Sequence, residues 1–179
     1  MIYNLEYYEK MLREYSATAK QICDVRWRFL KDGIYASKRQ VKDVTILDYG
    51  SGVGWFRAWR PAWATVWSYD IGKYPQTGLQ LRLYDVVCFW DVLEHIPDFK
   101  AIEPVLALSN HVALSIPMAK EGLLDWKHFK PGEHLHYFTE ESLVALFHEY
   151  GFAPVVTSTE IECPPREDIL TALFKRGRE

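Results

Sequence analysis

The run Ile46-Leu47-Asp48-Tyr49-Gly50-Ser51-Gly52-Val53-Gly54 constrains this chain more than any other segment. Val44, Thr45, Ile46 and Leu47 are apolar or β-branched and read as a short strand, which ends on an acid and three glycines at alternate positions. Glycine tolerates left-handed backbone and has no Cβ, so such a turn lets the main chain pass close under a ligand. A helix predicted over residues 53–60 would set backbone N–H groups behind it, with Pro61 as its stop. The spacing is GxGxG and not the GxGxxG of a dinucleotide site. The preceding acid also argues against a pyrophosphate, because Asp48 would repel it. A carboxylate there suits a ligand carrying an amino group and hydroxyls.

A second strand is expected over residues 65–69, ending on Asp70, sixteen residues after Gly54. In a doubly wound sheet that acid lies beside the glycine turn and can accept both hydroxyls of a ribose. Further strands are expected over 85–90, nearly all apolar as a strand buried on both faces requires, and over 111–116. Between them lies a helix over 99–108, disturbed by Pro104. Thr139 reads as an N-cap with Glu140 and Glu141 in the first turn, Leu143, Val144 and Phe147 on the apolar face, and Gly151 as the stop. Two strand-like runs, 153–161 and 169–175, close the chain around Cys163-Pro164-Pro165-Arg166. Residues 3–31 are helical in period, with Leu5, Tyr8, Leu12, Tyr15, Ala19, Ile22 and Phe29 on one stripe and Gly33 as the stop.

Strands alternating with helices mean an α/β domain, Rossmann-like and doubly wound, with a mostly parallel sheet and a C-terminal antiparallel hairpin. At 179 residues the chain makes one domain, with a helical cap over 1–36 on an α/β core over 43–179. The formal net charge of −3 offers no global field for a phosphate backbone, which argues against nucleic acid as the main partner. Cys23, Cys88 and Cys163 are scattered without a CxxC pair, as in a reduced cytoplasmic protein. There is no apolar h-region at the N-terminus and no stretch long enough to cross a bilayer, so no membrane partner is expected.

Four stretches resemble the class I S-adenosylmethionine-dependent methyltransferases, and most closely their small-molecule branch. They are ILDYGSGVG at 46–54, the strand-end Asp70, YDVVCFWDVLEHIPD at 84–98 and EHLHYFTEESLVALFHEYGF at 133–152. The resemblance implies S-adenosyl-L-methionine as cofactor and a small-molecule methyl acceptor. It implies that Asp48 and the turn of Gly50, Ser51, Gly52 and Gly54 hold the methionine portion, and that Asp70, followed by Ile71, holds the ribose. Trp90, Asp91 and Val92, at the end of a middle strand, would line the cofactor pocket. The alternative is a catalytically idle cofactor-binding or partner-binding module.

One departure is plain. The family usually places a helix, a strand and another helix after the ribose acid, with an acid that contacts the adenine. Here residues 71–83 span at most ~47 Å when extended, too little for that unit, and Gly72, Pro75 and Gly78 break any helix. The sheet should therefore be shortened after its second strand. Asp85 starts its strand and reads as structural. Glu94, at a helix start, reads as an acid opposing the dipole.

The segment after residue 117 holds Trp126, His128, His134, His136 and Tyr137, and in parallel sheets ligands sit at the carboxyl ends of strands. Its histidines can be structural, can contact the acceptor, or can bind metal. The metal reading is set aside, because the HxxxxxHxH spacing lacks a carboxylate at firm distance and the resemblance implies no required metal. Trp126, His128 and Tyr137 are then the acceptor wall, and His95, His134 and His136 the candidate bases.

Overall fold

The computed structural model describes residues 4–37, 42–72, 78–119, 126–162 and 166–177. Pro75, Cys163, Pro164, Pro165 and most of the polar link at 37–43 lie outside the described residues. Helix α1 (Leu5–Ser37) leads into strand β1 (Val44–Tyr49), the single turn α2 (Trp55–Ala58) and β2 (Ala64–Tyr69). Strand β3 (Val86–Trp90) precedes two 3-10 turns, Leu93–His95 and Phe99–Ile102, and α3 (Glu103–Leu106). Then come β4 (His111–Pro117), α4 (Glu140–Glu149), β5 (Phe152–Ser158) and β6 (Ile169–Arg176).

The six strands lie in the order β2-β1-β3-β4-β6-β5. The four strands from β2 to β4 pair in parallel, and β6 pairs antiparallel with both β4 and β5. This is the doubly wound sheet with a closing hairpin that the alternation of elements requires. Side-chain alternation sends the two faces of each strand into separate cores. Ile46, Val86, Cys88 and Trp90 pack under Trp27, Leu30 and Ile34 of α1, with Trp27 stacked on Phe56 at 4.0 Å. Leu47, Val87 and Phe89 pack under α3 and α4 with Leu143 and Phe147. Covered on both sides, β3 is buried at every position.

Among the described residues between β2 and β3 there is neither helix nor strand, only an isolated bridge from Tyr84 to Ser109. The shortening is real there. Asp85 does what its place at the start of β3 suggests: its Oδ2 accepts from the Thr45 amide and hydroxyl, both at 2.9 Å, and pins β3 to β1. Thr139 caps α4 through a reciprocal pair with Ser142, at 3.2 Å and 3.0 Å.

Several expectations need correction. Gly33 does not stop α1, which runs on to Ser37. A Cβ at Gly33 would stand 2.5 Å from Leu173 Cδ2, so glycine there allows close approach of helix to sheet. The stripe on α1 is buried at Tyr8, Ala19 and Phe29, but Leu5, Leu12 and Tyr15 are each more than 40% exposed. From Ala19 onward the helix lies on the sheet and buries Cys23, Arg26, Trp27 and Leu30, whereas in the first turns Tyr8 is buried through its bond to Asp70, beyond the end of β2. The helix expected over 53–60 is a single turn, and Pro104 sits in the first turn of α3, where proline is tolerated.

Candidate active site

Three glycines of the β1 turn take left-handed backbone, with φ of 77°, 54° and 81° at Gly50, Gly52 and Gly54. At Gly50 a Cβ would lie 2.5 Å from Val92 Cγ2, so the segment after β3 closes on the turn. The Gly50 and Ser51 amides both donate to the Tyr69 carbonyl, at 2.8 and 3.0 Å, and tie the turn to the end of β2. That brings Asp70 beside it. Asp70 Oδ2 accepts from the Gly52 amide at 2.7 Å, and Oδ1 from the Gly72 amide at 2.8 Å and the Tyr8 hydroxyl at 2.7 Å. Oδ2 thus keeps acceptor capacity on the turn side. Tyr8 places the first turns of α1 over the same acid.

Asp48 is buried on β1 beside Ser68 and Cys88 of the flanking strands, and its Oδ2 meets no donor. Burial pushes its carboxyl up to about 7; Arg26 opposes the shift and Asp70 adds to it. A buried acid that is only half ionised near neutrality, beside a glycine turn, is set to pair with a cationic group brought by a ligand.

Asp91 follows β3 in a left-handed conformation, φ 59°. Arg166 grips its two oxygens at 2.6 and 2.8 Å, and Arg26 reaches Oδ2 at 2.7 Å. Glu162, fully buried, accepts from Arg26 Nε at 2.6 Å and Arg166 at 2.9 Å, and the Ser115 hydroxyl accepts from Arg26 at 2.8 Å. Burial alone would raise the Asp91 carboxyl, but Arg166 and Arg26 outweigh it and hold the group far below the carboxylate range. Two cations and two anions thus tie α1, the end of β3 and the segment before β6 to one another. Trp90 is buried among Phe56 and the Arg26 guanidinium, 4.9 Å from its ring, and Ile71 is 74% exposed.

Glu94 does not oppose a helix dipole. It lies in a three-residue 3-10 turn, its side chain is 2% exposed, and its Oε2 meets no donor. Burial, reinforced by Asp91, pushes it up to about 8. The Leu135 and His136 amides donate to its carbonyl at 2.7 and 3.3 Å, which pins the histidine segment against the turn. His95 and His134 meet edge to face with ring centroids 4.9 Å apart. His95 Nδ1 is 2.8 Å from the Glu133 carbonyl, and its Nε2 is 3.9 Å from Glu94 Oε1. Burial pushes His134 down to about 4, and its Nδ1 is without a partner.

Trp126 lies against His128 at 5.1 Å and Tyr137 at 6.3 Å, and Tyr137 lies 6.3 Å from His134, so the expected acceptor wall is contiguous with the His95–His134 pair. Burial lowers His128 as well. His136 is not part of that pair: its Nε2 is 2.9 Å from the Ile96 carbonyl and its ring packs on Phe99 at 4.6 Å. The sequence gives Arg26, Glu162 and Arg166 no role at the site, and it marks Tyr8 only as an apolar-stripe residue and Glu94 only as a helix-start acid. For Arg26 a signal existed, since it interrupts the apolar face of Cys23, Trp27 and Leu30 and a buried charge needs partners.

The acid-tipped β1, its glycine turn and the strand-end acid of β2, on a doubly wound sheet, define the S-adenosylmethionine-dependent methyltransferase class. The methyltransferase-domain family matches residues 13–157, and the chain belongs to it. Its fold is similar to that of magnesium protoporphyrin IX methyltransferase from Synechocystis PCC 6803 with bound S-adenosylhomocysteine: 18% identity, TM-score 0.66, covering 98% of this chain and 96% of that one. The DhpI complex with S-adenosylhomocysteine gives 17% identity and a TM-score of 0.62 over 98% and 96%. The CurJ carbon methyltransferase gives 16% and 0.63 over 94% of this chain and 57% of that one. No curated protein matches the chain. No helix among the described residues is long and apolar enough to cross a membrane.

Proposed function

We propose that this methyltransferase acts on an oxygen, nitrogen or carbon nucleophile of a small molecule, in the cytoplasm. The observation that carries the reading is the buried Asp48 oxygen without a donor beside the glycine turn. A ligand with an amino group, presented with a ribose to Asp70, supplies the missing donor. Bound there, S-adenosylmethionine supplies an electrophilic methyl group.

The chain's own residues then have separate tasks. Asp48 and the turn of Gly50, Ser51, Gly52 and Gly54 hold the amino-acid end, and Asp70 orients the ribose, with Ile71 beside it. Val92, Trp90 and Asp91 shape the floor, Asp91 being held rigid by its two arginines. Trp126, His128 and Tyr137 form the apolar wall that holds the acceptor and excludes water, so alignment supplies most of the acceleration. Where the nucleophile is a hydroxyl or an ammonium, His95 or His134 takes its proton, and His136 anchors their segment to the Ile96 carbonyl. The family match and the intact pair of acids favour this enzyme over the idle module.

Transfer of labelled methyl from S-adenosylmethionine across a panel of small hydroxyl, amine and carbon-acid acceptors tests the proposal. His134→Ala should leave cofactor affinity within twofold and lower turnover by ~10²–10⁴ if it is the base. A protein that binds cofactor tightly but turns over no acceptor in the panel would return the reading to the idle module.

A further inference from the structure

The carboxylate that the histidine spacing lacks is supplied by another part of the fold. Glu94 and His95, on the turn after β3, meet His134, which the backbone bonds to the Glu94 carbonyl hold in place. One ligand-type atom from each lies within 4.8 Å of the other two. A closed tetrahedral site needs about 3.3 Å between donors, a contraction within reach of small side-chain rotations. Two of these groups are buried with an orphaned polar atom, Glu94 Oε2 at 2% residue exposure and His134 Nδ1 at 6%. Such atoms are costly unless something satisfies them. The Glu133 carbonyl at His95 Nδ1 fixes that ring in the way an outer hydrogen bond orients a metal-ligating imidazole, leaving Nε2 on the Glu94 side.

We propose that Glu94, His95 and His134 bind a divalent cation of the zinc class. Two imidazoles and one carboxylate suit zinc and its first-row neighbours better than calcium or magnesium, which prefer oxygen donors. Three protein ligands leave a fourth position, which an oxygen of the acceptor can complete; the acceptor wall adjoins the cluster where Tyr137 meets His134. That role rests on the methyl-transfer reading; cation binding does not. With the cation in place, the two histidines reach the acceptor through it and no longer take its proton directly.

The test is calorimetric titration of zinc chloride into chelator-stripped full-length protein, without cofactor, followed by cobalt(II) substitution read by visible absorption. One saturable equivalent is expected, with cobalt bands of four-coordinate strength. Glu94→Gln, which keeps the shape of the buried side chain, and His134→Ala should each weaken binding at least tenfold, with the melting temperature of the metal-free variants checking that both fold. No saturable zinc binding, or an equivalent retained in both folded variants, overturns the site. S-adenosylhomocysteine titrated into the same samples separates the two readings: cofactor binding without zinc removes only the cation site, and zinc binding without cofactor removes only the methyl-transfer reading.

Discussion

Cofactor affinity should rise with pH, because Asp48 must be ionised to pair with the cofactor's ammonium. Burial pushes its carboxyl up to about 7 in the free protein, with Arg26 opposing the shift and Asp70 adding to it; Cys23 and Cys88, also nearby, are thiols pushed upward by burial and stay neutral. If only the ionised form binds well, the apparent dissociation constant scales as one plus the ratio of protonated to ionised Asp48. That factor is about 33 at pH 5.5 and about 2 at pH 7.0, so affinity should improve about sixteenfold, or ~1.7 kcal/mol, across the window. The window is kept below the range in which the ligand's own ammonium titrates, so that only the protein titrates. Isothermal calorimetry with S-adenosylhomocysteine at four pH values reads it directly. Asp48→Asn should bind more weakly at pH 7 and lose the slope. A flat wild-type profile, or an unchanged slope in Asp48→Asn, would refute the assignment.

Arg26→Met should destabilise the fold by ~3–5 kcal/mol in urea melts, because Glu162 and Asp91 lose a buried partner. Gly50→Ala should cost ~1–3 kcal/mol of stability, from left-handed strain and the clash with Val92, and should weaken cofactor binding in the same calorimetric assay. Thr139→Ala removes one half of a reciprocal cap and should cost ~1 kcal/mol by thermal unfolding, with cofactor affinity unchanged.

What could be read from the sequence was local. The strand-to-glycine run, the acid closing β2, the short span before β3, the bond-ready Asp85 and the Thr139 cap each depend on a few neighbouring residues whose chemistry admits few conformations. What could not be read depends on partners far along the chain. Arg26 and Glu162 are 136 residues apart, and nothing near either names the other. Glu94 carries the sequence context of a helix-start acid, yet the histidine segment forty residues on folds over it and takes it out of water. The α1 stripe has the right period throughout, but periodicity shows only that a face exists, and it does not show how far the sheet extends beneath it. Gly33 departs from its expected role for the same reason: a glycine in a helix can be a stop or a point of contact, and Leu173 decides which.

The most direct test of the central claim is calorimetric titration of S-adenosylhomocysteine into the wild type and into Asp70→Ala. A single site in the micromolar range, ~−8 kcal/mol, is expected for the wild type. The variant should bind ~1–3 kcal/mol more weakly, because the ribose hydroxyls lose their charged acceptor. No heat with S-adenosylhomocysteine or S-adenosylmethionine, together with saturable binding of NAD, would contradict the claim.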